Sequence, residues 1–206
     1  IKSKILNQKS KGRSSRNKTI DPDRKAPPPE VFDEVMRIID LENPTNPFTH
    51  AVRNRNYLLF RVLYETGMRT GEILQLKIMD IDFSNQAIQV RRRHNDPEDK
   101  YRTFEPNAKT EERDIPISHK LCNELRNYVL YERRGIPNTK THSFLFVSNK
   151  GKSKGNPLSL IQFSKMVEKV AVSENLADFI KKNGFSTSKT ITKHGFRHNF
   201  NNRLSK

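Results

Sequence analysis

Three successive segments between residues 30 and 76 place apolar residues at helical spacing, which constrains the fold more than any other feature of the sequence. We expect helices over residues 30–41, 50–65 and 70–76, and Gly67 should end the second because glycine readily adopts the left-handed conformation that closes a helix. The buried faces are expected to comprise Val31, Val35, Ile38, Ile39, Leu58, Leu59, Val62 and Leu63. Three arginines of the second helix are expected to lie away from its buried face: Arg53, Arg55 and Arg61.

The period of the apolar residues then changes. Residues 87–93 alternate apolar and polar side chains, which predicts a strand; residues 107–117 predict a polar hairpin tip flanked by strand, and residues 144–148 a short strand. Helices are expected again over residues 118–134 and 158–175 and from Lys193 onward, with a core formed by Ile161, Met166, Val167 and Val170. We therefore predict a mainly α (α+β) fold with one small antiparallel β-sheet.

The charge of the chain points to a polyanionic partner. Lysine and arginine total 39 against 23 acidic residues, a formal net charge of +16. Such a surplus favours nucleic acid, because contacts to phosphates release condensed counterions, and an anionic membrane surface is the second candidate. No apolar run reaches the length that spans a bilayer. Residues 1–25 carry nine basic and two acidic residues and are expected to form a basic arm or linker. The single cysteine, Cys122, excludes an internal disulfide and fits a reducing compartment.

Two short segments and one lysine are candidates for chemistry. In TGMRTGE, residues 66–72, Arg69 follows a glycine turn at the start of a helix, where free N–H groups and an arginine fork can bind a phosphate. The alternative for Arg69 and Glu72 is a surface ion pair. Lys109, at the hairpin tip, is by itself more typical of a solvated charge.

The second segment, HGFRH at residues 194–198, places His194 and Arg197 on one helical face. Histidine can donate a hydrogen bond or exchange a proton near neutral pH, and arginine stays charged. A basic helix face lying on DNA is the alternative. A zinc site at His194 and His198 is disfavoured because no further ligands occur at a suggestive spacing.

Together, TGMRTGE, Lys109 and HGFRH closely resemble the tyrosine recombinase (phage integrase) family over residues 30–206. The resemblance implies that Arg69, Lys109, His194 and Arg197 are catalytic and that Glu72 and His198 support them. It also implies a helical catalytic domain over residues 26–206, with residues 1–25 as a basic arm or the tail of an N-terminal DNA-clamping domain.

The activity implied by the resemblance is site-specific DNA recombination or integration through a 3′-phosphotyrosyl intermediate. No cofactor or metal is implied; the partners are double-stranded DNA and further copies of the chain, in a tetramer. The implied setting is cytoplasmic, nucleoid-associated, in a bacterial or phage-encoded protein.

The family's nucleophilic tyrosine is expected beyond Lys206, so the chain would supply the pocket without the attacking group. Three alternatives remain open: a non-catalytic DNA-binding or regulatory fragment, a relative of type IB topoisomerases or telomere resolvases, and an RNA-binding protein.

Overall fold

The computed structural model describes residues 27–106, 111–186 and 191–205. Over these residues the chain forms seven α-helices and one three-stranded sheet. The helices are α1 (Pro29–Ile38), α2 (His50–Thr66), α3 (Thr70–Gln75), α4 (His119–Asn127), α5 (Leu160–Ala171), α6 (Glu174–Lys182) and α7 (Gly195–Leu204). The strands are β1 (Ile81–Asp82), β2 (Ala87–Val90) and β3 (Arg113–Pro116). The predicted fold class, mainly α with one small antiparallel sheet, is confirmed.

The first two helices follow the sequence pattern closely. α1 begins at Pro29, whose fixed φ and missing N–H suit the first position of a helix. α2 ends at Gly67, which adopts φ 58° and ψ 23°. The predicted buried faces are confirmed, since each of these residues is completely buried: Val31, Val35, Ile38, Ile39, Leu58, Leu59, Val62 and Leu63.

The sheet lies in the chain between α3 and α4, with strand order β1-β2-β3 and antiparallel pairing throughout. β2 is the central strand, and its Ile88 pairs with Ile81 of β1 and Ile115 of β3. Val90 pairs with Arg113, the first residue of β3. Because Ile88 and Val90 are buried, one face of β2 is anchored in the core and fixes the register of the hairpin.

An aromatic cluster holds α7 against the rest of the core. Phe196 packs edge-on against Phe32 of α1 with ring centroids 5.1 Å apart, and against Phe60 of α2 at 5.6 Å. Phe163 of α5 extends the cluster, 6.2 Å from Phe60. All four rings are completely buried. The cluster therefore sets the position of α7 relative to α2.

The structure corrects two expectations, one about residues 144–148 and one about Arg55. Residues 144–148 form no strand; Phe144 and Val147 make isolated bridges, to Lys77 and Pro157. Their carbonyl groups bond to buried arginines instead: Arg133 donates to Phe144 O at 2.8 Å and Arg55 to Val147 O at 2.7 Å. Arg55, expected away from the buried face, is therefore buried.

The later helices also differ from the expected bounds. The helix predicted over residues 118–134 is regular only in α4 and continues as a π-turn (Tyr128–Glu132) and a 3-10 turn (Arg133–Gly135). The helix predicted over residues 158–175 breaks at Val172 into α5 and α6. Ile161, predicted as core, is 65% exposed, and Phe163 takes that place. Met166, Val167 and Val170 are buried as expected.

The basic arm predicted over residues 1–25 lies outside the described residues. Among the helices that the structure describes, none combines the length and hydrophobicity required to cross a membrane.

Candidate active site

Arg69 is placed by the tight connection between α2 and α3. Gly67 closes α2, and Arg69 is the residue immediately before the first turn of α3. Its backbone N–H donates to Glu72 Oε2 at 2.8 Å, which caps the helix. The side chain of Arg69 remains 42% exposed although its Nη1 atom is buried, while its backbone is fixed.

Glu72 is the buried centre of the site. Its side chain is completely buried, and Arg113 of β3 contacts it with both terminal guanidinium nitrogens, Nη2 to Oε2 at 2.9 Å and Nη1 to Oε1 at 3.2 Å. Nη1 of Arg69 lies farther away, 3.6 Å from Oε1. An ion pair between Arg69 and Glu72, the alternative considered from the sequence, thus exists, but it is not a surface pair, since Glu72 is buried, and it is the looser of two ion pairs on one carboxylate.

Arg197 reaches the same place from α7. Its Nη1 donates to the carbonyl oxygen of Gly67 at 3.0 Å. Burial lowers the pKa of Arg197 from its ordinary value, nearby Arg69 and Arg113 lower it further, and Glu72 opposes them. The side chain remains charged, as arginines in proteins do. Arg69 and Arg113 contact the Glu72 carboxylate, and Arg197 lies near enough to feel the charge of all three groups. Among the described residues, positive charge therefore exceeds negative charge here, which suits an anion.

The two histidines lie at the surface. His194 directly precedes α7 and His198 follows one turn later; the backbone N–H of His198 donates to His194 O at 3.2 Å, and both residues are exposed. The structure thus brings together Arg69, Glu72 and Arg197, with His194 just before the helix that carries Arg197 and His198 within it. Lys109 lies outside the described residues. Within the described ranges, no group of three or more His, Cys, Asp or Glu side chains could hold a metal ion.

Sequence reasoning missed Arg113 as a member of this site. The sequence signal was its position beside the hairpin lysine, but the pairing with Glu72 spans 41 residues and follows from the sheet register. A neighbouring contact was missed as well: Nζ of Lys193, next to His194, donates to Ser164 Oγ of α5 at 3.0 Å. This contact joins the start of α7 to α5.

The chain matches known recombinases over most of its length. The model of the phage integrase family matches residues 31–206. Tyrosine recombinase XerD of Halalkalibacterium halodurans is 25% identical over 177 residues, 86% of this chain and 48% of that protein. Tyrosine recombinase XerA of Pyrococcus furiosus is 28% identical over 146 residues, 71% of this chain and 39% of that protein. The chain thus spans about half the length of the XerD proteins that it matches.

Solved recombinase structures share the fold. XerH site-specific recombinase bound to palindromic difH substrate has a TM-score of 0.62 and 24% identity, covering 98% of this chain and 48% of that one. The Tn1549 transposon integrase in complex with transposon right end DNA has a TM-score of 0.60 and 22% identity, covering 90% and 54%. The family match across residues 31–206, rather than these distant likenesses, decides the assignment. The chain belongs to the phage integrase family of tyrosine recombinases.

Proposed function

We propose that this chain supplies the phosphate-binding pocket of a site-specific recombinase that breaks and rejoins DNA through a 3′-phosphotyrosyl intermediate. The observation that carries the proposal is the convergence of Arg69 and Arg197, distant in sequence, on Glu72 and the turn at Gly67. Family membership and the recombinase relatives support site-specific recombination as the reaction. In this proposal, residues 26–206 form the catalytic domain and residues 1–25 a basic arm.

The two arginines would stabilise charge on the scissile phosphate. As the phosphorus becomes five-coordinate, negative charge builds on its non-bridging oxygens, and fixed guanidinium groups stabilise that charge without reorganising. Nη1 of Arg69 is enclosed by protein yet donates no hydrogen bond to the described residues. The Arg69 side chain as a whole is 42% exposed, so part of it is open to an acceptor such as a phosphate oxygen.

The remaining roles follow from the family resemblance. Lys109 would protonate the leaving 5′-oxygen, because a lysine near other cations gives up its proton more readily. His194 would bind a phosphate oxygen or assist proton transfer, with His198 in support. The attacking tyrosine would be none of the five in this sequence, because in the family it follows the segment that carries the histidine and the second arginine, and all five tyrosines precede His194. Exchange of a phosphodiester for a phosphotyrosine retains the bond energy, so the proposal includes no cofactor.

Double-stranded DNA is the proposed substrate, bound by several copies of the chain assembled as a tetramer. The net charge of +16 favours association with DNA through phosphates. The solved structure of XerH contains its palindromic difH substrate, and that of the Tn1549 integrase contains transposon right end DNA.

DNA binding by the chain itself tests the pocket. Fluorescence anisotropy with a labelled duplex, over a series of salt concentrations, gives the slope of log Kobs against log salt. We expect Arg69→Ala and Arg197→Ala each to lower that slope by about one, the change for loss of one phosphate contact. Arg37→Ala is the matched control, because Arg37 is 66% exposed on α1 and pairs with Glu34. Salt-independent binding, or two variants indistinguishable from the wild type, would overturn the proposal.

Cleavage is measured on full-length protein that carries the nucleophile. A nicked duplex traps the covalent protein–DNA adduct, and Arg197→Ala should slow its formation by about 100-fold or more, as for removal of one donor to a developing oxyanion. Adduct formation at the wild-type rate in this variant would contradict the role assigned to Arg197.

A further inference from the structure

We propose that Arg113 is a positioning residue: its two-pronged ion pair holds the Glu72 carboxylate, which leaves the Arg69 guanidinium available to a DNA phosphate. The inference rests on the proposed function and adds a residue to it. Arg69 and Arg113 both form ion pairs with Glu72, and the distances from their guanidinium nitrogens to its carboxylate oxygens differ. Nη1 and Nη2 of Arg113 lie 3.2 and 2.9 Å from the carboxylate, within hydrogen-bond distance.

Arg69 contacts the same carboxylate less closely. Its nearest guanidinium nitrogen is 3.6 Å from Glu72 Oε1, too far for a hydrogen bond, although its backbone N–H is bonded to Oε2 at 2.8 Å. Glu72 therefore holds the backbone of Arg69 while Arg113 occupies the carboxylate's side-chain contacts. A bidentate arginine–carboxylate pair is stronger and more directional than a single contact, so the Glu72 carboxylate is held more strongly by Arg113 than by the side chain of Arg69.

Loss of Arg113 would change the electrostatics of Arg69. The Glu72 side chain is completely buried, and a buried carboxylate that loses a cation attracts the next available one. Among the described residues, the other cation in ion-pair contact with Glu72 is Arg69. A shift of less than 1 Å would bring Arg69 Nη1 into hydrogen-bond distance of Oε1, since 3.6 Å is already close to that limit. The guanidinium group would then be hydrogen-bonded to Glu72 and less available to a phosphate.

Arg113 also determines where the hairpin meets α3. It is the first residue of β3, pairs with the buried Val90 of β2, and reaches Glu72 in the first turn of α3. The register of the hairpin is thereby coupled to the conformation of Arg69. Arg113 would act through Glu72, and contact with the phosphate is no part of this role.

A double-substitution experiment separates this role from two simpler ones. Arg113→Gln should lower the salt slope of duplex binding by about one, as Arg69→Ala does, because Arg69 is drawn into an ion pair with Glu72. Adding Glu72→Gln should restore most of the slope, since the amide removes the competing charge but can still accept from the Arg69 N–H. Arg91→Gln is the matched control: Arg91 follows β2 in the same hairpin and pairs with Asp114, 3.0 Å away.

Each result either supports or contradicts the inference. If Arg113→Gln lowers the slope and Glu72→Gln fails to restore it, Arg113 binds DNA directly or is merely structural, and the inference is wrong. If Arg69→Ala lowers the slope and Arg113→Gln does not, the inference fails while the proposed function stands. If Arg69→Ala has no effect, the proposed function itself fails. Thermal unfolding shows whether Arg113→Gln folds. If it does not fold, the salt slope of the double variant is compared with that of Glu72→Gln alone. A lower slope in the double variant would refute the inference.

Discussion

Arg197 donates from Nη1 to the carbonyl oxygen of Gly67 at 3.0 Å, so α7 is tied to the turn that ends α2 and precedes Arg69. A second residue of α7 lies against the same glycine, because a Cβ atom built there would be 2.5 Å from Cδ1 of Phe200. The absence of a side chain at Gly67 thus allows α7 to approach the turn closely. The two arginines of the site are positioned by one backbone feature.

Replacement of Gly67 should therefore disturb both stability and DNA binding. In Gly67→Ala, a left-handed alanine costs about 1–2 kcal/mol. The overlap with Phe200 adds a further ~1–3 kcal/mol and moves Arg197 away from its carbonyl acceptor. Urea unfolding measures the cost. Gly184→Ala is the control, since Gly184 has φ +67° but open space around its Cβ position. Equal costs at the two glycines would show that contact with Phe200 does not matter.

Phe196 should contribute strongly to stability through the aromatic cluster that seats α7. It is completely buried between Phe32 and Phe60. Phe196→Ala is expected to lower the free energy of unfolding by about 3–5 kcal/mol, the range for loss of a buried phenylalanine. Phe104, 76% exposed, provides the comparison, and its alanine variant should change stability by less than ~0.5 kcal/mol. A similar loss in both variants would contradict the packing described for α7.

Glu98 should make stability depend on pH in the acid range. Burial alone would raise the pKa of Glu98, but hydrogen bonds from the backbone N–H and hydroxyl of Ser143, together with Lys77, lower it to about 2. A carboxyl whose pKa is lower in the folded than in the unfolded chain stabilises the fold at pH values above its unfolded pKa of about 4.3, and that contribution disappears as the pH falls toward 2.

The measurement compares wild type with Glu98→Gln by urea unfolding at pH 6 and pH 3. The wild type should be the more stable at pH 6, and the difference should shrink at pH 3. A difference that stays constant or widens at pH 3 would show that Ser143 and Lys77 do not stabilise the charged form of Glu98.

Local sequence patterns account for part of this structure and miss the rest for physical reasons. Helical spacing predicts the buried faces of α1 and α2 correctly, because burial of one face repeats within each helix. The same reasoning fails at residues 144–148, where an apolar run resembles a strand although the carbonyls of Phe144 and Val147 bond to arginine side chains. Such side-chain partners come from distant parts of the chain, so local spacing carries no sign of them.

The candidate site is likewise predictable from the sequence only in part. Arg69 and Glu72 are three residues apart, and a helix start explains their proximity from sequence alone. The bond from Arg197 to Gly67 spans 130 residues and depends on the packing of Phe196 against α1 and α2. Without a resemblance to a known family, spacing could not have united these residues. The roles of Lys109, His194 and His198 stay predictions.

Arg102 provides the last prediction, because it fastens the long connection between β2 and β3 to the core. Its side chain and that of Asp99 are each 2% exposed and form an ion pair at 2.7 Å. Nη1 also donates to the carbonyls of Leu74, at 2.8 Å, and Leu158, at 3.1 Å. Arg102→Ala would leave a buried carboxylate unpaired and two carbonyls without this donor, so we expect a loss of about 3–5 kcal/mol.

Arg91→Ala is the matched control for that variant. Arg91 and Asp114 also form an ion pair, at 3.0 Å, but their side chains are 31% and 56% exposed. An exposed pair contributes about 0–1 kcal/mol, because water screens both charges. A second variant, Arg102→Ala with Asp99→Ala, removes the unpaired charge and should recover part of the loss. If both single variants cost the same in urea unfolding, or if the second substitution recovers nothing, burial of the Arg102–Asp99 pair does not determine how strongly this connection is held.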